Sequence, residues 1–233
     1  HRRGIRPDAV VFADTGAEKA ATYAFYPIMN AWLRKVGFPE IQIVRKEVEG
    51  KGLGGFGSKK SVSKVSKKPL HNVQFETIDD ACEKWEMLPS LAYGGRNCSQ
   101  KWKHEPQDKW AQKKFQPAMD SFEQGYKVTK LIGYDAGPID AKRKAHEEDD
   151  NWVYVYPLQE WKVDREKAKG MIRRAGLPVP QKSACWMCPS SKPKEIQALA
   201  RSAPDLLRRI IRMEGLAEPG LDTIEGLWRQ AVA

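Results

Sequence analysis

Short apolar runs and one stretch of helical periodicity alternate along the first fifty residues. Residues 9–13 are continuously apolar and run into a polar turn, which is typical of a strand buried on both faces of a parallel sheet. Over residues 25–36 apolar side chains recur every three or four positions, and a glycine and a proline then end the predicted helix. Residues 41–48 alternate enough to predict a second strand. Strand, helix and strand with short joints predict a βαβ unit, and so a parallel sheet.

Similar patterns continue beyond a glycine-rich interruption. They predict helices over residues 76–88, with Trp85 among their apolar points, and over 107–123, and strands over 128–134 and 152–156. We therefore expect an α/β fold built on one open parallel sheet.

Two later helices carry their own boundary signals. Asp164 is predicted to cap a helix that ends at Ala175, with Met171 on its inner face. Ser202 is predicted to cap the next one, and the arginines of that helix are expected to face solvent: Arg201, Arg208, Arg209 and Arg212.

Composition places the chain among ordinary folded proteins. It has 233 residues, of which 41% are hydrophobic and 30% charged, so a disordered chain is not expected. Its apolar runs fall short of the roughly 20 residues of a membrane-spanning helix, and its start does not resemble a secretion signal. We expect a cytoplasmic protein without a membrane partner, folded as a single domain over residues 1–233.

A basic field and a basic loop point to anionic partners. The formal net charge is +10, which favours nucleotides and nucleic acids, although a merely basic surface would give the same total. Residues 49–69 are rich in Gly, Lys and Ser and predict a flexible loop, whose lysines over residues 59–68 would contact nucleic acid. Within it, residues 52–57 satisfy G-x-G-x-x-G, but no helix start follows, so a dinucleotide site is disfavoured.

Four cysteines leave several chemistries open. Cys185 and Cys188 form a C-x-x-C pair, whereas Cys82 and Cys98 lack the spacing of a second zinc knuckle. The four thiolates are enough for a [4Fe–4S] cluster. Zinc, a redox pair and simple burial are the alternatives.

Polar residues follow the first predicted strand, and others follow the glycine pair Gly94-Gly95. Asp14, Thr15 and Gly16 stand where an open parallel sheet places its ligands, although an ordinary strand-to-helix turn would look the same. Arg96 and Lys103 belong to a cationic stretch suited to phosphate or sulfate, with a solvated loop as the alternative.

Taken in order, these segments resemble the phosphoadenosine phosphosulfate (PAPS) reductase-like family of the adenine nucleotide alpha-hydrolase superfamily. The matching segments are Asp14-Thr15-Gly16-x-Glu18 followed by Thr22, Arg96-x-Cys98-Ser99-x-x-x-Lys103-x-x-Pro106, Gly133-Tyr134-Asp135 followed by Arg143, Tyr156-Pro157-Leu158-x-x-Trp161, and Cys185-x-x-Cys188-Pro189.

The resemblance implies a Rossmann-like parallel sheet between helices, lacking the N-terminal strand and phosphate-binding loop with which family members begin. It implies that the site residues fall into three groups. The adenine nucleotide, ATP or PAPS, would contact Asp14, Thr15, Gly16, Glu18, Gly133 and Asp135; Arg96, Lys103 and Arg143 would act in catalysis; Cys82, Cys98, Cys185 and Cys188 would hold the cluster or zinc.

The implied activity is sulfonucleotide reduction or ATP-dependent adenylation and sulfur transfer. Sulfonucleotide reductases attack sulfur with a cysteine near the C-terminus, and no cysteine follows Cys188 here, which favours adenylation. The alternatives are a sulfurtransferase that thiolates tRNA or DNA, and a non-catalytic, metal-stabilised nucleotide-binding module.

Overall fold

The fold is mixed α/β, and its strands form two-stranded sheets. The computed structural model describes residues 3–49, 73–89, 97–143 and 149–217. The strands are β1 Val10–Ala13, β2 Ile41–Val44, β3 Glu47–Glu49, β4 Val73–Phe75, β5 Val128–Leu131 and β6 Trp152–Val155. The helices are α1 Ala20–Lys35, α2 Ile78–Lys84, α3 Asn97–Ser99, α4 Glu105–Lys114, α5 Gln116–Glu123, α6 Pro157–Glu160, α7 Arg165–Arg174, α8 Pro193–Ser202 and α9 Pro204–Ala217, with a π-helical turn Gln100–His104 between α3 and α4.

The strands pair as β1 with β2, β3 with β4 and β5 with β6. β3 and β4 are antiparallel, whereas β5 and β6 are parallel and in register from Val128 opposite Trp152 to Leu131 opposite Val155. None of the helices in the described ranges is long and apolar enough to cross a membrane.

The described chain divides into two compact units. Unit 1 takes residues up to 12, 18–44 and 107–185, and unit 2 takes residues 13–17, 45–106 and 186 onward.

The core of unit 1 lies under the parallel pair β5–β6. Trp152, Ala111 and Ala118 are buried there, and Phe115 and Phe122 pack against them. The ring of Phe122 meets that of Trp152 edge-on at 5.2 Å, a favoured aromatic geometry.

One predicted helix, residues 107–123, is two helices in the structure. Phe115 is extended between α4 and α5, and Pro117 lies in the first turn of α5. Proline is tolerated in a first turn but would clash with the preceding turn of a continuous helix, so the chain restarts at Gln116. Phe115 still stacks on Trp110 at 4.8 Å.

Two further boundaries differ from the sequence prediction. The strand predicted over residues 41–48 divides into β2 and β3 at Arg45 and Lys46, whose side chains pair with Asp14 and Glu76. The helix predicted over residues 76–88 ends at Lys84, and Trp85 is 62% exposed rather than buried.

Unit 2 buries the inner faces of α2, α8 and α9. Its fully or nearly buried apolar residues include Ile78, Met187, Ile196, Ile210 and Met213. Arg209 does not lie on a solvent face as predicted, because α9 turns it toward Asp79 and Glu83 of α2. Its guanidinium also lies 5.4 Å from the centre of the Trp186 ring.

The two late helix predictions have different outcomes. Asp164 caps α7 as predicted, accepting a hydrogen bond from the Lys167 backbone N–H at 2.9 Å, but Met171 is exposed. Ser202 does not cap α9: it ends α8, and its hydroxyl donates to the Ala198 carbonyl at 2.9 Å. Helix α9 begins at Pro204, so only Ala203 separates the two helices.

Candidate functional site

The turn after β1, in unit 2, is built by its own polar side chains. Asp14 and Thr15 are 2% and 1% exposed. One Asp14 carboxylate oxygen accepts from the Gly16 N–H at 2.9 Å, and the other accepts from Arg45 at 2.9 Å (Nε) and 2.8 Å (Nη2). The Thr15 hydroxyl accepts from the Ala17 N–H at 3.3 Å. These contacts are those of an organised strand-to-helix turn, and they fix where the turn's backbone lies.

Gly16 is required in that turn by both its conformation and its surroundings. Its φ of +78° lies in the left-handed region. A Cβ added there would lie 2.3 Å from Thr77 Cγ2. The Thr15 carbonyl accepts from the Ile78 N–H at 2.9 Å, so the turn sits directly against the start of α2.

Glu18 lies in unit 1 beside one of the candidate metal ligands. Its backbone forms an isolated antiparallel bridge with Cys185. The Cys185 thiol donates to the Glu18 carboxylate, with 3.9 Å between Sγ and Oε1. The side chains of Glu18 and Cys185 therefore face each other across this bridge.

The carboxyl ends of β5 and β6 carry a second polar group in unit 1. The Ile132 N–H donates to the Val155 carbonyl at 2.8 Å, which continues the parallel pairing just past both strands. The rings of Tyr134 and Tyr156 then stack at 5.7 Å with 23° between their planes. The Arg143 guanidinium lies 4.7 Å from the centre of the Tyr134 ring. We call Tyr134, Arg143 and Tyr156 the tyrosine–arginine cluster.

Two carboxylates hold the loop that carries this cluster. Asp135 accepts from the Gly137 N–H at 2.8 Å and from Arg165 Nε at 3.4 Å. Asp140 accepts from Arg143 Nε at 2.9 Å and from the Asp135 N–H at 3.3 Å. The Arg143 side chain remains 42% exposed, so part of its guanidinium is open to a ligand.

Gly133 lies at the open edge of the same loop. Its φ is not positive, and among the described residues no atom lies within 4 Å of the position that a Cβ would take. The described part of the chain therefore leaves the space above Gly133 open at the strand ends.

A partly buried cation lies among the aromatic rings of the parallel pair β5–β6. Lys130 on β5 pairs with Asp108, and its ammonium lies 3.7 Å from the centre of the Trp152 ring. On β6, burial raises the pKa of the Tyr154 phenol, and the nearby carboxylates of Asp149 and Asp108 raise it further. Tyr154 therefore stays protonated well beyond neutral pH.

The predicted anion-binding stretch is described only in part. Arg96 lies outside the described residues, as do the lysines of residues 59–68. Lys103 belongs to the π-helical turn, together with Trp102. The Lys46 ammonium lies 4.1 Å from the centre of the Trp102 ring, and it pairs with Glu76 at 2.5 Å. Single π-helical turns are frequent at functional sites, which keeps Lys103 a candidate.

The four cysteines are free thiols in the structure, and Cys82 is buried in α2. Among the described residues, which include all four, no three His, Cys, Asp or Glu side chains are grouped to hold a metal ion. The four-thiolate cluster therefore stays a prediction.

Sequence reasoning found the acidic positions after the strands but missed two partnerships. The pairing of Arg45 with Asp14 joins residues 31 positions apart, and the stack of Tyr134 on Tyr156 depends on the β5–β6 register. An aromatic residue just past each of two strands was the available signal for the stack.

Comparison with known proteins adds no relative: no family model, curated protein or solved structure matches the chain.

Proposed function

We propose that this chain is an adenine-nucleotide-dependent enzyme domain of the PAPS reductase-like type, with an open parallel sheet as its framework. The observation that carries the proposal is the tyrosine–arginine cluster at the carboxyl ends of the parallel strands β5 and β6. In open parallel α/β sheets, ligands bind outside the carboxyl ends of the strands.

The cluster has the chemistry that a nucleotide requires. Aromatic planes stack on a purine base, and a guanidinium binds phosphate oxygens through two parallel hydrogen bonds. Tyr134 and Tyr156 supply the planes, Arg143 supplies the guanidinium, and the open space at Gly133 gives access. Asp140 orients Arg143 by accepting from its Nε, and this leaves the Nη atoms of Arg143 to face a phosphate.

The reaction class that we propose is adenylation with sulfur transfer. In adenylation an acceptor oxygen forms a bond to the α-phosphorus of ATP. The bond between that phosphorus and the bridging oxygen breaks, and pyrophosphate leaves with the electron pair. Arg143 would stabilise the charge that develops on the phosphate oxygens.

Substituting the cluster arginine tests the proposal. Arg143→Gln removes the phosphate-binding fork, and we expect the Kd for ATP, measured by calorimetry, to rise about tenfold or more. Lys142→Gln is the matched control, because it removes the same charge from the adjacent exposed position, and its Kd should change by no more than about twofold.

The base-stacking part is tested separately. Tyr156→Leu should weaken the binding of ATP. It should also reduce the preference of the protein for ATP over an inorganic polyphosphate of equal charge. The proposal is wrong if the unmodified protein binds no ATP, or if Arg143→Gln and Lys142→Gln weaken the binding of ATP equally.

A further inference from the structure

The segment around α7 concentrates the positive charge of the chain. Residues 162–182 contain seven Lys and Arg residues and two acidic ones, Asp164 and Glu166. This stretch of 21 residues therefore supplies half of the formal net charge of +10. It is fully described and lies within unit 1.

Three of these cations form a row along one side of α7. Arg165, Lys169 and Arg173 are spaced four residues apart, which places them on one helix face about 6 Å apart along the axis. The row begins at the candidate site, because Arg165 pairs with Asp135 in the loop that carries Tyr134. It extends about 12 Å from there along the helix.

Most cations on α7 are exposed, and Lys169 is partly exposed. The side chains of Arg165 and Lys167 are 67% and 63% exposed. Lys169 pairs with Glu166 at 2.6 Å and Lys167 with Asp164 at 4.0 Å, and exposed pairs of this kind contribute little stability. Arg173 and Arg174 form no ion pair within the described residues.

Lys162 occupies a backbone position that favours glycine. Its φ is +52°, in the left-handed region, where a lysine is uncommon. Its carbonyl accepts from the Lys167 ammonium at 3.0 Å, so it stands at the start of the same basic segment. Lys162 therefore adds a further exposed cation to this segment, at a position where glycine would be less strained.

We infer that α7, with Lys162, binds the sugar–phosphate backbone of a nucleic acid strand that leads into the tyrosine–arginine cluster. A row of cations at regular spacing on an exposed helix matches a repeating anion, and the row ends where a nucleotide is proposed to bind. The inference names nucleic acid as the acceptor class of the proposed reaction, and in this respect it rests on the proposed function.

Two triple variants with the same charge change test the inference. Lys169→Gln/Arg173→Gln/Arg174→Gln alters α7. Lys109→Gln/Lys113→Gln/Lys114→Gln alters α4 at the same spacing, again with two cations in the last helical turn. The probe is a labelled single-stranded oligonucleotide, used as RNA and as DNA, without ATP. Its binding is followed by fluorescence anisotropy over a series of salt concentrations.

The α7 triple should flatten the slope of log Kobs against log[salt] by about 2, as expected for three lost phosphate contacts on a single strand. The α4 triple should leave the slope nearly unchanged. Equal effects of the two triples, or no binding of the oligonucleotide by the unmodified protein at low salt, would overturn the inference.

A third variant, Lys162→Gly, removes a cation without straining the backbone, because glycine adopts the left-handed conformation readily. A loss of binding in this variant is therefore not caused by loss of folding. Lys162→Gly should weaken oligonucleotide binding without lowering the midpoint of thermal unfolding. ATP binding is measured on the same proteins. Oligonucleotide binding through α7 without ATP binding would refute the proposed function alone, and ATP binding without oligonucleotide binding would refute the inference alone.

Discussion

Gly16 is held by two constraints that act at a single residue. Its backbone is left-handed, and the side chain of Thr77 fills the space beside its α-carbon. The neighbouring Asp14 and Thr15 are buried and bonded to backbone N–H groups of the same turn. A change at Gly16 therefore disturbs both the β1 turn and the start of α2.

Gly16→Ala should lower the free energy of unfolding by about 2 to 5 kcal/mol, since a left-handed alanine and a steric clash add together. Gly125→Ala is the matched control: its φ is +75°, but no atom lies within 4 Å of the added Cβ, so only about 1 to 2 kcal/mol should be lost. Urea denaturation measures both, and equal losses would show that the Thr77 contact does not matter.

The junction of α2 and α9 shows how charged side chains connect two elements. Arg209 donates to Asp79 at 2.6 Å and to Glu83 at 2.7 Å, and Arg212 donates to Glu83 at 3.1 Å. The hydrogen bond from Arg209 lowers the pKa of Glu83, with the charges of both arginines acting in the same direction. The same pairing raises the pKa of Arg209, so the junction stays ionised at neutral pH.

A lowered carboxyl pKa gives stability that is complete above the ordinary value of 4.5 and is lost as the pH falls through the folded-state value. Glu83→Gln should therefore cost about 1 kcal/mol near neutral pH, and the difference from the unmodified protein should shrink below pH ~4.5. Glu123→Gln, at an exposed helix end, should show no such convergence. Chemical denaturation at a series of pH values measures the free energy of unfolding of each variant. If the loss caused by Glu83→Gln is the same at every pH, the pKa of Glu83 is not lowered by folding.

Elements whose signals are local were predictable from the sequence, and those decided by distant partners were not. Asp164 caps α7 as predicted, and the helix ends at Arg174, one residue before the predicted end, with Gly176 in a left-handed conformation behind it. The break between β2 and β3 depends on Asp14, far away in the sequence, which no periodicity reveals. In the same way Asp135 was predicted from the resemblance of its segment to a known family, whereas the stack of Tyr134 on Tyr156 required the register of β5 and β6.

Considered whole, the molecule combines a strong positive charge with cysteines that the described structure does not gather. The charge is the property that sequence composition predicts directly, because it does not depend on folding. The ligand set of a metal is the opposite case, since it depends on where four separate segments lie.

The cluster predicted from the four cysteines is tested on the whole protein, purified without oxygen. It requires about four iron and four acid-labile sulfide per chain, with broad absorption near 400 nm. Cys188→Ala should then remove the iron, whereas Ser190→Ala, as a control in the same turn, should retain it. Protein that contains no iron, or whose iron content is unchanged by Cys188→Ala, would contradict the cluster.

The cations above indole rings give each unit an optical signal of its own. Lys130 lies over Trp152 in unit 1, and Arg209 lies over Trp186 in unit 2. A fixed charge near an indole shifts its emission, and unfolding removes that charge from the ring. Intrinsic fluorescence can therefore follow the two units by difference. Of the eight tryptophans of the chain, the emission that is lost on Trp152→Phe reports on unit 1, and the emission that is lost on Trp186→Phe reports on unit 2.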